Sequence, residues 1–221
     1  MEFVINLVFN SKFWILNINS RLPEVGTSIF TVMSRMALEN GAINLSQGFP
    51  DFPVSQELIE LVYKNMKAGH NQYAPMPGTP VLRKAIADLV AKTYHRPTDF
   101  ETEVTVTAGG TEAIFSAIAA FVKEGDEVIM FDPAYDSYDP AVRLNGGKPI
   151  HIKLSPPFFS INWEEVRLKI TSRTRMIMIN TPHNPTGAIL GEDDLKRLEQ
   201  IALDHNLIVL SDEVYERIIF D

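Results

Sequence analysis

The sequence predicts an α/β fold, a mostly parallel sheet flanked by helices, and three observations carry that prediction. From Glu103 onward, apolar runs of strand length alternate with segments of helical periodicity, the pattern left by β–α–β units. Two of these runs, 176–179 and 207–210, have no polar break, as expected of strands covered on both faces. Each run stops abruptly on polar residues. The first ends at Asn180-Thr-Pro182-His183-Asn184-Pro185-Thr-Gly187 and the second at Ser211-Asp212-Glu213-Val214-Tyr215. In open α/β sheets, ligands bind beyond the carboxyl ends of the strands.

The elements follow in order. Residues 1–19 are read as an atypical extension. Their Phe, Ile, Val and Leu content is interrupted by Asn6, Asn10, Lys12 and Asn17, too often for a bilayer span. A secretory signal is the lesser alternative, since the chain opens on Glu2 and has no obvious small-residue cleavage site. Residues 20–54 form an arm, extended over 21–30, with a short helix over 31–39 ended by Asn40-Gly41. Residues 55–221 form the main domain. Ser55 caps a helix running to about Ala68 that aligns Leu58, Ile59, Val62 and Met66. Thr79-Pro80 opens another, expected to bury Leu82, Ile86, Leu89 and Val90.

Strands are expected at 104–107, 127–131, 149–153, 175–180 and 207–211. The helix at 111–123 should turn Ile114, Ala117, Ile118, Phe121 and Val122 inward, and that at 192–205 Leu195, Leu198, Ile201 and Ala202. Asn162 heads a shorter helix.

Composition narrows the chemistry. The 221 residues carry a net charge of −8, which disfavours non-specific nucleic-acid binding because phosphates repel an acidic surface. With no cysteine, disulfides, thiolate catalysis and Cys-based metal sites are excluded. The five histidines are scattered without metal-ligand spacing. A soluble protein of the reducing cytoplasm, with no membrane or metal partner, is the expectation.

The strand-end residues point to one kind of ligand. An amide at Asn184, a carboxylate at Asp212 and a phenol at Tyr215 suit an aromatic ring with a basic nitrogen and a phenolate oxygen. The carboxylate would pair with the first and the two donors with the second. Taken singly, the Pro-flanked turn and an N-capping Asp212 are also plain structural features. Thr107-Ala-Gly109-Gly110-Thr111-Glu112 adds a strand-to-helix turn whose N–H groups could cradle a phosphate, although Gly-Gly before a helix is often only a tight turn. There is no G-x-G-x-x-G and no G-K-[ST], which disfavours a dinucleotide or a P-loop.

The pair N-x-x-x-N-P-x-G and S-D-E-V-Y resembles the class I/II aminotransferases that use pyridoxal 5′-phosphate, in particular their kynurenine and methionine aminotransferase branch. The resemblance covers roughly residues 20–221 and implies fold type I, with an incomplete large domain and the N-terminal part of a small domain. It implies cofactor contacts from Gly110, Thr111 and Glu112 to the phosphate and from Tyr135 to the ring face. It also implies contacts from Asn184 and Tyr215 to the ring oxygen and from Asp212 to the ring nitrogen. Tyr73, in Q-Y-x-P-x-x-G, would reach the cofactor of a partner subunit, so a homodimer is implied. Gly48 and Phe49, in I-N-L-S-Q-G-F-P-D-F, would line the substrate pocket. Amino acids and 2-oxo acids are the implied substrates, the donor being hydrophobic or aromatic, such as methionine or kynurenine.

One part of the family pattern has no counterpart. The lysine that holds the cofactor as a Schiff base follows S-D-E-V-Y in the family, and no lysine follows Lys196 here. No catalytic residue is therefore assigned, and the chain is read as an N-terminal fragment, expected to be inactive alone. Cysteine-conjugate β-lyase activity on the same grip, and a non-catalytic remnant that only binds, are the alternatives.

Overall fold

In the computed structural model, residues 19–48, 50 and 52–219 are described in full and residues 4–9 and 12–17 by their backbone course. The chain enters through a hairpin in which β1 (Val4–Phe9) pairs antiparallel with β2 (Lys12–Asn17). Two units follow from the contacts, one spanning Thr27–Thr107 and the other Met1–Gly26 with Ala108–Asp221.

The Thr27–Thr107 unit is helical. α1 (Ile29–Glu39) starts where Ser28 Oγ accepts from the Thr31 N–H, satisfying one of the donors that a helix start leaves over. α2 (Gln56–Lys67) and α3 (Pro80–Tyr94) start after Ser55 and Thr79, with Pro80 at the first position of α3. The expected apolar faces are only partly covered. Leu58, Ile59, Val62 and Met66 of α2 are exposed, as are Leu82 and Leu89 of α3. Ile86 and Val90 are half-buried, and the buried residues of α3 are Arg83 and Ala87.

Arg83 explains the segment after α3. Its Nε donates to Val104 O, and its terminal nitrogen donates to Phe100 O and Glu101 O. The predicted strand at 104–107 is consequently not a strand. Val106 N–H donates to Pro77 O instead of to a ladder partner. Gly78, at φ +102°, makes that approach possible, since a Cβ there would sit 2.7 Å from Val106 Cγ2. The stretch at 21–25 also differs from the extended reading, because a turn forms with Val25 N–H bonded to Leu22 O.

The other unit holds the sheet. After α4 (Gly110–Phe121), β3 (Glu127–Asp132) leads through α5 (Tyr138–Leu144) to β4 (Lys148–Lys153). Next come α6 (Trp163–Lys169), β5 (Thr174–Asn180), α7 (Glu192–His205) and β6 (Ile208–Asp212). The strands are parallel in the order β4-β3-β5-β6. The chain places β4 on one side of β3 and β5 on the other, so the strand order reverses there. The reversal opens a crevice at the carboxyl ends.

Both faces of the sheet are packed. Ile114, Ile118 and Val122 from the α4 side and Ala141 and Val142 of α5 meet Val128, Met130, Met176 and Met178 on one face. Trp163 and Val166 of α6 and Leu198 and Ile201 of α7 meet Ile129, Phe131, Ile152, Ile177 and Ile179 on the other. Trp163 Nε1 also donates to Asp194 Oδ1 at 2.8 Å, joining α6 to α7. The helical periodicity therefore predicted the right stripes, though too wide ones. Phe121 and Leu195 lie outside the stripes and are exposed. β5 is buried on both faces as expected, but β6 alternates between half-buried and exposed positions, because it is hydrogen-bonded to β5 alone among the described residues.

Candidate functional site

The crevice holds a cavity of about 240 Å³, lined by Gly110, Thr111 and Ile114 of α4 and by Tyr135, Tyr138, Asn180, Asn184, Asp212, Val214 and Tyr215. Six residues singled out from the sequence, Gly110, Thr111, Tyr135, Asn184, Asp212 and Tyr215, thus meet around one space.

The carboxyl ends of β5 and β6 set its floor. Asn180 and Asp212 are register partners on adjacent strands. Asn180 is buried, and its amide works in two directions. Nδ2 donates to Asp212 O at 2.9 Å, and Oδ1 accepts from Asn184 N–H at 2.6 Å. One side chain therefore fixes the spacing between the strand that carries Asp212 and the turn that carries Asn184. Thr181 N–H adds a bond to the same Asp212 carbonyl at 3.1 Å. The turn closes through His183 N–H to Ala188 O and Gly187 N–H to His183 O.

Asp212 does not cap a helix. Its Oδ1 accepts from Val214 N–H at 3.1 Å within a turn, and its Oδ2 accepts from Tyr138 Oη–H at 2.6 Å. Tyr138 is buried at the start of α5. Burial first, then the hydrogen bond to Asp212 and its negative charge, hold the Tyr138 phenol well above the usual tyrosine range. That shift favours the protonated phenol, the form that donates to Asp212. Tyr135 packs edge-to-face on it, with ring centroids 5.7 Å apart and planes at 72°.

The opposite wall is the N-terminus of α4. Gly109, at φ +93°, turns the chain into the helix, whose first i→i−4 bond runs from Ala113 N–H to Gly109 O. An α-helix leaves its first N–H groups without intrahelical acceptors, and those of Gly110, Thr111 and Glu112 fall in that turn. The Glu112 carboxylate folds back to accept from Ala108 N–H at 2.6 Å, so it braces the turn.

His183 stands apart from this chemistry. Burial pushes its imidazole below the ordinary value, and Nδ1 lies 2.8 Å from Thr186 Oγ1. It lines a separate cavity of about 20 Å³ with Phe131, Ile179 and Leu190. The remaining candidates lie in the helical unit or outside the described residues. Tyr73 and Gly48 are exposed in the Thr27–Thr107 unit, and Phe49 lies outside the described residues.

Tyr138 and Asn180 are the site residues that sequence reasoning passed over. Each had a signal. Tyr138 stands three residues after Tyr135, about one helical turn on, and Asn180 is the first polar residue after an unbroken apolar strand. Among the described residues no group of His, Cys, Asp and Glu is arranged to hold a metal ion, and no helix is long and apolar enough to cross a membrane.

Comparison with known proteins agrees with the geometry. Residues 40–221 match the family model for aminotransferases of class I and II. Methionine aminotransferase of Escherichia coli is 48% identical over 201 residues, covering 91% of this chain and 52% of that protein. Human kynurenine–oxoglutarate transaminase 1 is 33% identical over 215 residues, covering 91% of this chain and 51% of that protein. Among solved structures, a methionine aminotransferase of E. coli superposes with a TM-score of 0.88 at 47% identity, covering 91% of this chain and 53% of its own. N-succinyldiaminopimelate aminotransferase of Mycobacterium tuberculosis superposes with 0.88 at 41%, covering 92% and 54%. The chain spans about half the length of the curated relatives it matches. With the parallel sheet, the crevice residues and these likenesses in agreement, the chain belongs to the class I and II aminotransferases, the pyridoxal-phosphate-dependent family of fold type I.

Proposed function

We propose that this chain supplies the cofactor grip of an aminotransferase that moves an amino group from a hydrophobic or aromatic amino acid, such as methionine or kynurenine, to a 2-oxo acid. The single observation that carries the reading is the convergence of Asp212, Asn184, Tyr215, Tyr135 and the start of α4 on one cavity. That donor set fits pyridoxal phosphate. It offers a carboxylate for a basic ring nitrogen, an amide and a phenol for a ring oxygen, an aromatic ring for a planar face, and helix N–H groups for a phosphate.

When bound, pyridoxal phosphate supplies an electron sink for the substrate α-carbon. The protein's residues tune and hold it. Asp212 places a negative charge beside the ring nitrogen and so favours its protonated form. Asn184 and Tyr215 donate to the ring oxygen and favour its anionic form. Gly110, Thr111 and Glu112 direct backbone N–H groups at the phosphate, where the dipole of α4 adds its partial charge. Tyr135 restrains the ring plane. Gly48 and Phe49 serve the substrate side, and Tyr73 reaches the cofactor of a second subunit in a cytoplasmic homodimer. Residues 1–19 act as an extension, 20–54 as the arm and 55–221 as the cofactor-binding domain.

The test is an absorbance titration of the purified chain with pyridoxal phosphate, followed by borohydride reduction and peptide mapping. Saturable binding, abolished in Asp212→Ala, is expected. Absence of saturable binding sinks the reading, and a unique reduced adduct would identify a lysine within these residues as the covalent anchor.

A further inference from the structure

We propose that Tyr138 is the positioning residue for the ring-nitrogen contact, aiming the Asp212 carboxylate at the cofactor. The inference rests on the pyridoxal-phosphate reading above and adds to it a residue that lines the same cavity and acts on the ring nitrogen through Asp212.

Asp212 needs such a partner because of where it stands. It ends β6, the strand hydrogen-bonded to β5 alone among the described residues, and the chain leaves it directly into an exposed turn. A carboxylate on such a strand end can rotate about χ1 and χ2 unless its oxygens are held. Val214 N–H takes Oδ1, but this donor moves with the same turn. Tyr138 takes Oδ2 at 2.6 Å from a different element, packed in the interior. A short bond from a neutral hydroxyl to a carboxylate is of the strong, charge-assisted kind.

The donor is itself fixed. Tyr138 opens α5, and its neighbour Asp139 accepts from Arg143 Nε at 2.7 Å and lies 3.0 Å from His151 Nε2 on β4. His151 Nδ1 lies 2.9 Å from Asp132 Oδ1 at the end of β3. The start of α5 is thus pinned to β3 and β4, while Tyr138 reaches across to β6. The carboxylate is aimed from α5, an element held to β3 and β4, and not only from the exposed turn that follows it.

A pair of ligands separates aiming from mere packing: pyridoxal phosphate, and its deaza analogue in which C–H replaces the ring nitrogen. The unaltered chain is expected to prefer pyridoxal phosphate by equilibrium dialysis. Tyr138→Phe removes one oxygen and keeps the ring. It should weaken pyridoxal phosphate about tenfold, the scale of one charge-assisted hydrogen bond, while leaving the deaza analogue within about twofold. On an Asp212→Asn background the same substitution should add little, because the contact it serves is already altered.

Equal weakening of both ligands, or of neither, overturns the proposal. An unaltered chain that binds both ligands equally also overturns it, while the cofactor grip stands. An unaltered chain that binds neither overturns the grip and this inference together. Should Tyr138→Phe fail to fold, Tyr138→4-aminophenylalanine keeps a ring donor at the same place. Its preference for pyridoxal phosphate is expected to stay within about threefold of the unaltered chain, and complete loss of that preference would overturn the proposal.

Discussion

β5 and β6 lie side by side, both read as unbroken apolar runs, and both end on a residue of the candidate site. Their situations are opposite. Met176 through Ile179 of β5 are no more than 4% exposed, whereas Val209 in the middle of β6 is 39% exposed. The side chains are alike, so composition does not set the difference. β5 is paired with β3 and β6 and covered by helices on both faces, while β6 pairs with β5 alone among the described residues. Burial is a property of the place in the sheet. The consequence reaches the chemistry: Asn180 on β5 is rigid enough to organise its neighbours, whereas Asp212 on β6 is organised from outside, through Asn180 at its carbonyl and Tyr138 at its carboxylate.

Stability measurements give the largest expected contrast. Ile177→Ala, which empties a fully buried position of β5, should cost about 2–5 kcal/mol in urea unfolding. Val209→Ala on β6 should cost less than about 1 kcal/mol, since much of that side chain already meets water. Equal costs would break the comparison and mean that the outer edge of β6 is covered in solution.

Asn180→Ala tests the next level. It leaves Asn184 N–H and Asp212 O without their side-chain partner, and each such loss at a buried site costs about 1–3 kcal/mol. Unfolding should show that destabilisation, and pyridoxal phosphate binding should weaken by more than in Val209→Ala. Unchanged binding would show that the clamp does not set the spacing between Asn184 and Asp212.

Much of this architecture is legible in the sequence because it is local. Alternation of apolar runs with helical stripes located β3, β4, β5, α4 and α7, and the polar residues closing the runs located the site. What the sequence withholds is non-local. The run at 104–107 has strand composition but no ladder, because Arg83 and Pro77 take its backbone groups. The apolar face of α2 is periodic yet exposed, since periodicity says which residues align and not what covers them. Tyr138 escaped notice for a related reason. Its place one helical turn after Tyr135 marks it as a site candidate, but its partner is 74 residues away and no local spacing announces a bond to Asp212.

The other outer strand sharpens the comparison at the smallest scale. β4 lies at the opposite end of the strand order and is tied down by His151, which stands between Asp132 on β3 and Asp139 on α5. Burial opposes protonation of this imidazole, but the hydrogen bonds to Asp132 and Asp139 and their charges outweigh it and raise its affinity for a proton above the ordinary value of 6.5. A group that binds its proton more tightly when folded stabilises the fold fully below its unfolded pKa. That stabilisation is lost as pH rises through the higher folded value. Because His151 is 37% exposed in its side chain, water screens the pair and holds the effect below about 1 kcal/mol. Urea midpoints should therefore fall slightly as pH rises from the ordinary imidazole range through the higher folded value in the unaltered chain, and this fall should shrink in His151→Gln, which keeps hydrogen-bonding capacity without the charge. A fall of equal size in both would move the pH response away from the β4 edge and leave β4 held by its ladder alone.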